Sequence, residues 1–267
     1  MQLCALYRYP LKSAIGQTLR QSAVGPLGLA GDRCWMLVEA GNGRFMSQRS
    51  VPRLGQLRAE WAADAGLLLG ATGHGELAVP LPPAQAPLRD VTVWGDSLRV
   101  PDAGDDAAAW LSAFIGIPVR LVHVPAERAR AVNPAYAQPG DRVGFADGFP
   151  LLLIGQGSLD DLNQRIGRPM EMLRFRPNLV VDGAAPYAED GWKRLRIGEV
   201  TFRVAVPCAR CILTTLDPQT GERSADREPL NTLKGYRLRE GGIMFGQNLI
   251  AEGHGELQVG MAVDVLE

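Results

Sequence analysis

The sequence predicts an α+β fold rich in β-structure. Short apolar runs with period-two alternation recur along most of the chain, broken by clusters of Gly, Pro, Asn and Asp. Helical periodicity is confined to three short segments. The 267 residues are 46% hydrophobic and 21% charged, an ordinary globular composition in a chain long enough to bury a core without disulfides.

Leu3, Ala5 and Tyr7 alternate at the start, so Leu3–Tyr9 is expected as a first strand. A targeting peptide needs a basic start and a longer apolar run. Cys34–Val38, Gln56–Trp61, Gly66–Leu69 and Glu76–Val79 are expected as further strands, and Pro80–Pro87 as a connector. Val91–Trp94 and Ser97–Val100 flank Gly95-Asp96, the composition of a two-residue hairpin turn. The first helix is expected over Asp105–Phe114. Acidic residues open it, Trp110, Leu111 and Phe114 give it an apolar face, and Gly116 with Pro118 ends it. Val119–Val124 is expected as a strand, with a division nearby between two parts, 1–118 and 119–267.

Pro150–Ile154 reads as a buried strand. Ser158 is expected to cap a helix with Asp160 and Asp161 in its first turn, because Leu159, Leu162 and Ile166 recur at helical spacing. Asn178–Asp182, Arg194–Ile197 and Val200–Val206 are expected as strands, with a tight turn at Gly198-Glu199. Asp217–Gly221 reads as a turn in which Pro218 fixes φ and Gly221 admits a positive one. A short helix over Glu228–Arg237 and strands near Ile243–Ala251 and Ala262–Leu266 complete the chain.

Composition narrows the function. A net charge of −1 gives no global attraction to nucleic acid or to an anionic membrane. The longest apolar run, Phe149–Ile154, is far short of the ~20 residues that span a bilayer. Cys4, Cys34, Cys208 and Cys211 are too few for a disulfide scaffold and fit a reducing compartment. The expected location is the cytoplasm. His74, His123 and His254 are scattered and form no ligand motif, which argues against a His-rich zinc hydrolase. The only lysines are Lys12, Lys193 and Lys234, so the rest of the 28 basic residues are arginine. Genomic base composition accounts for much of that bias, and each arginine must be argued singly.

The strongest local signal is Pro207-Cys-Ala-Arg-Cys-Ile-Leu-Thr-Thr215. A structural zinc site needs a second ligand pair, which Cys4 and Cys34 do not supply. A thioredoxin-like dithiol needs its first thiol at a helix N-terminus, whereas a strand precedes this pair and Ile212–Thr215 look strand-like. A single thiolate ligand to a soft metal or metal cofactor is the third reading. Arg210 would favour the thiolate and could grip an anionic cofactor. Two buried thiols acting as small hydrophobes are the plain alternative. Spacing leaves these open. Tyr9-Pro-Leu-Lys-Ser13 offers a cation and a hydroxyl that suit phosphate, or else a solvated turn. Gly31-Asp-Arg-Cys-Trp35 leads into a strand, with Asp32 able to serve simply as an Asx-turn residue. Arg174-Phe-Arg-Pro-Asn178 sets two guanidinium forks and an amide at the mouth of a strand.

Together these motifs resemble the MOSC-domain proteins, in particular the molybdenum-dependent amidoxime-reducing components and bacterial reductases of N-hydroxylated compounds. The resemblance keeps motif order over nearly the whole chain. It also takes in Ser47-Gln-Arg49, Pro52-Arg-Leu54, Asp147-Gly-Phe-Pro-Leu151, Ser158-Leu-Asp-Asp-Leu-Asn163, Tyr187-Ala-Glu-Asp190, Glu228-Pro-Leu230, Thr232-Leu-Lys234 and Phe245-Gly-Gln247. It implies a MOSC-associated N-terminal β-domain (1–118) packed with a MOSC β-barrel carrying a few helices (119–267).

It further implies a molybdenum cofactor, a pyranopterin whose dithiolene holds the metal. Cys211 matches the molybdenum ligand, leaving Cys208 structural or beside the metal. Lys12, Ser13, Arg33, Arg176, Asn178 and Arg210 match positions that hold the cofactor. Asp147, in a matching loop, is the candidate proton handler; a turn-stabilising role before Gly148 is the alternative. Gly148-Phe149 stands where animal members have Thr-Ser, so hydroxyl contacts there are lost. The expected partners are small N-hydroxylated substrates and a separate electron-donor protein of flavin reductase, cytochrome or ferredoxin type. The chain shows neither the iron–sulfur cysteines of some bacterial members nor the membrane anchor of mitochondrial ones, so no membrane is an expected partner; the net charge of −1 leaves nucleic acid unexpected as an obligate one. A cofactor carrier or sulfur-handling module without turnover of its own is the alternative function.

Overall fold

In the computed structural model, residues 1–218 and 220–267 are described. Gln219, inside the expected Asp217–Gly221 turn, lies outside the described residues, as does the side chain of Asp64. The flanks of that turn do close, through Gly221 N to Asp217 O at 2.8 Å.

The N-terminal body is built around a ribbon of Trp35–Glu39 and Val119–His123, paired antiparallel. Strand periodicity sends alternate side chains to opposite faces. Trp35 and Leu37 join Leu54, Leu69, Leu111 and Phe114 in one core. Met36 and Val38 join Val91, Val93 and Phe145 in another. Helix α1, Asp105–Ile115, covers the first core and ends on Gly116 at φ 91°. Because residues 119–123 pair with residues 35–39, the sheet hydrogen bonding crosses the expected 118/119 division.

The larger body is a curled sheet. From one edge its strands run Gln17–Leu19, Gln2–Arg8, Leu179–Asp182, Leu151–Gly155, Gly242–Glu252, Val200–Arg210, Arg194–Ile197 and Val263–Val265. Leu3 N donates to Met261 O at 2.9 Å and Val263 N to Met1 O at 3.0 Å, so the last strand returns to the first and the sheet bends toward a barrel. Leu3, Leu6, Leu153, Val181, Phe202 and Leu249 fill its inside. Helices α2, Gln156–Ile166, and α3, Leu230–Arg237, cover its outside over Ile154, Phe175 and Phe245. The α+β, β-rich expectation holds.

Four local expectations change. The hairpin register pairs Val93 with Asp96, so the turn is Trp94-Gly95, one residue earlier than Gly95-Asp96. Helix α2 starts at Gln156 with Gly155 as its cap, and no acidic residue lies in its first turn. Ser158 is instead drawn inward, donating to Glu189 at 2.7 Å and accepting from Tyr187 N. The strand expected to stop at Val206 runs on to Arg210. Ile212–Thr215 form a 3-10 turn rather than a strand, because the Thr214 and Thr215 hydroxyls donate to the Cys211 and Ile212 carbonyls.

Candidate active site

Loops from both bodies meet around a cleft of roughly 870 Å³, counted to its open mouth. Lys12, Ser13, Arg33, Asp147, Arg176, Asn178, Arg210 and Cys211 all line it. Three of them, Ser13 (φ 69°), Arg33 (φ 43°) and Arg176 (φ 54°), have left-handed backbone without being glycine. Such positions cost of order 1–3 kcal/mol each and gather at ligand clamps.

The inner wall is organised by Tyr9, which is fully buried. The Arg33 and Arg176 guanidiniums each stack on its ring, 4.3 and 4.2 Å from the centroid. Arg33 also donates to Asp32 at 2.7 Å, to Asn178 Oδ1 at 2.9 Å and to the Arg176 carbonyl at 3.0 Å. Arg176 donates to the Ala14 carbonyl at 2.7 Å. Burial, with Arg33 alongside, pushes the Arg176 guanidinium down to about 10, so it stays charged at neutral pH. Asn178 ties the wall together: its amide donates to Tyr7 O and its oxygen also accepts from Leu152 N.

At the mouth, Lys12 is 5% exposed. It donates to Phe145 O at 2.7 Å and to Asp147 Oδ1 at 2.5 Å. Arg130 pins the loop before Asp147 by donating to the Gly144 and Ala146 carbonyls. Burial pushes the Lys12 ammonium below its ordinary value, although Asp147 supports its charge. The crowded wall alone would raise the Asp147 carboxyl. Lys12 first, then Arg49 and Arg33, outweigh that and hold it at about 2. At neutral pH Asp147 is therefore an acceptor.

The two thiols sit at the end of the long Val200–Arg210 strand, where its pairing with Gly242–Glu252 slips between Pro207 and Ala209. Such irregularities re-aim side chains beside functional sites. Arg210 Nη1 donates to Cys208 Sγ at 2.9 Å while its other nitrogen donates to Phe175 O. Arg49 Nη2 donates to Cys211 Sγ at 3.1 Å. Each half-buried thiol thus has its own guanidinium.

The charge around the cleft is lopsided. Among the described residues, Lys12, Arg33, Arg49, Arg174, Arg176 and Arg210 line it with one carboxylate, Asp147, while Asp32 and Asp217 pair with Arg33 and Arg174 from outside the lining. Among the described residues, the buried Nε atoms of Arg174 and Arg210 have no hydrogen-bond partner. Among the described residues no three His, Cys, Asp or Glu side chains gather to hold a metal ion. The surplus of donors and cations beside two thiols suits an anionic group. Sequence reasoning assigned no role to Tyr9, Arg49 or Trp94. Tyr9 and Arg49 lay inside quoted motifs. Trp94 is the last residue of the expected strand Val91–Trp94 and carries no chemical signal in the sequence. His74, His123 and His254 do not line the cleft.

Two β-rich bodies thus meet at a cationic, thiol-bearing cleft. Residues 1–118 match the MOSC N-terminal beta barrel domain and residues 140–264 the MOSC domain. The chain is 37% identical to mouse mitochondrial amidoxime-reducing component 1, covering 98% of this chain and 81% of that one. It is 34% identical to the human protein of that name, over 98% and 82% of the two chains. It is also 34% identical to rice molybdenum cofactor sulfurase, covering 98% of this chain but 35% of that longer one. The chain belongs to the MOSC-domain family. Among the described residues no helix is long and apolar enough to cross a membrane.

Proposed function

We propose that the protein is a molybdenum-cofactor-dependent reductase of N-hydroxylated compounds. One observation carries the reading: a surplus of buried and half-buried cations surrounds two thiols in a single cleft. Similarity to amidoxime-reducing components supplies the substrate class.

In this reading Lys12, Ser13, Arg33, Arg176, Asn178 and Arg210 hold the pterin and its phosphate, and Cys211 ligates the metal. Arginine forks suit phosphate and ring oxygens, and Lys12 supplies a point charge. When bound, the group supplies a two-electron metal centre with affinity for the oxygen of an N–O bond. The overall reaction consumes two electrons and two protons, breaks the N–O bond, and leaves an amine or amidine plus water. Asp147 orients the N-hydroxyl as an acceptor and passes protons arriving from solvent, while Lys12 keeps it charged. A separate donor protein of flavin reductase, cytochrome or ferredoxin type delivers the electrons. The chain divides into parts 1–118 and 119–267, joined by the pairing of Val119–His123 with Trp35–Glu39.

The test is metal and pterin analysis of protein made in a cofactor-competent host. Cys211→Ala is expected to lose molybdenum and reduction of an aromatic amidoxime, whereas Cys208→Ala keeps at least some metal. Unchanged metal in the Cys211 variant overturns the ligand assignment. Loaded wild-type protein that stays inactive with several artificial donors overturns the reductase reading. The 34% identity to a molybdenum cofactor sulfurase favours one alternative, a carrier or sulfur-handling module. Stoichiometric cofactor transfer to an acceptor enzyme, without N–O reduction, is its signature.

A further inference from the structure

We propose that Arg49, held on the ring of Trp94, positions the Cys211 sulfur and tunes it from the N-terminal body. The proposal rests on the reading of Cys211 as a metal ligand.

Arg49 is an exposed arginine, the kind of side chain that ordinarily wanders in solvent or pairs with a carboxylate. It does neither. Among the described residues it forms no ion pair, and its side-chain donor bond goes to Cys211 Sγ at 3.1 Å. Its backbone is set by the Ser47–Val51 turn, in which Val51 N donates to Ser47 O at 2.8 Å and Ser47 Oγ accepts from Arg49 N. Its guanidinium lies 4.9 Å from the Trp94 ring centroid.

Trp94 is placed with equal care. It occupies the hairpin turn at φ 55°, and the positive φ falls on this bulky residue instead of on neighbouring Gly95. Left-handed backbone is unfavourable for a large side chain, so the ring must be fixed by its contacts. Phe45 packs against it at 4.8 Å, and its indole N–H points at Asp147 Oδ1, 3.3 Å away. The indole is nevertheless 45% exposed. A strained, exposed tryptophan thus joins the carboxylate at the mouth to the guanidinium on the thiol. Hairpin, Arg49 turn and thiol strand are far apart in sequence, and their contact links the N-terminal body to the sulfur.

The chemistry follows from hydrogen bonding to a ligand sulfur. A cationic N–H donor withdraws electron density from a thiolate, favours the reduced, more electron-rich metal, and raises its potential. Trp94 acts one step further out, by limiting where Arg49 can reach.

The experiment uses full-length protein loaded in a cofactor-competent host, comparing wild type with Arg49→Ala, Arg49→Lys, Trp94→Ala and Trp94→Phe. Molybdenum per chain, the thiolate-to-metal absorption band, the midpoint potential and the melting temperature are measured. Both side chains are exposed at the mouth, so all variants are expected to fold and to keep metal. The potential is expected to fall most in Arg49→Ala and less in Trp94→Ala. Arg49→Lys restores part of it, and Trp94→Phe, which keeps an aromatic face, stays near wild type. The absorption band shifts in the same order. Wild-type band and potential in both alanine variants overturn the proposal. Wild-type protein without molybdenum overturns the ligand reading and this proposal with it, a result distinguishable from the first because no band appears in any sample.

Discussion

Two arginine-rich regions of the molecule use the same side chain in opposite ways. In the N-terminal body, Asp102 is 4% exposed and lies between Arg89 and Arg120, at 2.8 and 2.5 Å. Arg120 also reaches Asp105 at 2.7 Å. Burial alone would raise the Asp102 carboxyl, and its bonds to Arg120 and Arg89 outweigh that and lower it. In the cleft, by contrast, only Arg33 and Arg174 of the described lining guanidiniums pair with carboxylates, Asp32 and Asp217, while Arg49, Arg176 and Arg210 lean on carbonyls, on ring faces and on sulfur. The first region neutralises itself and works as a staple. The second leaves Arg49, Arg176 and Arg210 without a carboxylate partner among the described residues, a surplus of positive charge that would suit an anion.

The contrast breaks most visibly at Asp102. Asp102→Asn leaves two arginines facing each other with a neutral partner, and the expected loss is about 3 kcal/mol of unfolding free energy, read by urea titration. The opposite sign is expected at Lys12. Lys12→Met removes a buried cation whose partner, Asp147, has a side chain 63% exposed and can turn to water. Ligand-free protein should gain about 1 kcal/mol in the same titration, while pterin and molybdenum content fall together.

A smaller effect is expected with acid. The Asp147 carboxyl sits at about 2 in the folded chain against an ordinary 3.8. Its contribution is complete above about pH 4 and is lost as pH falls through about 2. Exposure keeps that contribution small. Asp147→Asn should flatten the acid limb of the melting curve across this window, with a small loss of stability at neutral pH that vanishes as the two proteins converge below about pH 2. The smallest effect belongs to Trp94→Gly. Glycine relieves the left-handed backbone but gives up the ring contacts, so the net change is expected within about 1 kcal/mol.

Much of the fold was legible because alternation and turn chemistry are local. Leu3–Tyr9, Val119–Val124 and the Gly198-Glu199 turn needed no knowledge of their partners. Ser158 was misread because its hydroxyl is claimed by Glu189, 31 residues away, and not by its own helix. The hairpin turn slipped by one residue because Trp94 takes the positive φ that local propensity assigns to glycine or asparagine. The motif residues gather on one cleft, but motif order could not show which guanidinium serves which thiol. Arg210 is two positions from Cys208 and bonds it, whereas the partner of Cys211 is Arg49, 162 residues away.

The first strand carries a consequence for synthesis. Gln2–Arg8 lies inside the larger sheet, and its neighbour on one side is Leu179–Asp182. At ribosomal speeds of about 5–20 residues per second, those partners follow on the order of ten seconds or more behind it. Until then the opening segment is an unpaired edge, and the Lys12–Ser13 turn that hangs from it has no wall to face. The cleft can therefore be assembled only after most of the chain has left the ribosome. A fragment ending at residue 118 would expose the same edge permanently, and aggregation on release is its expected fate.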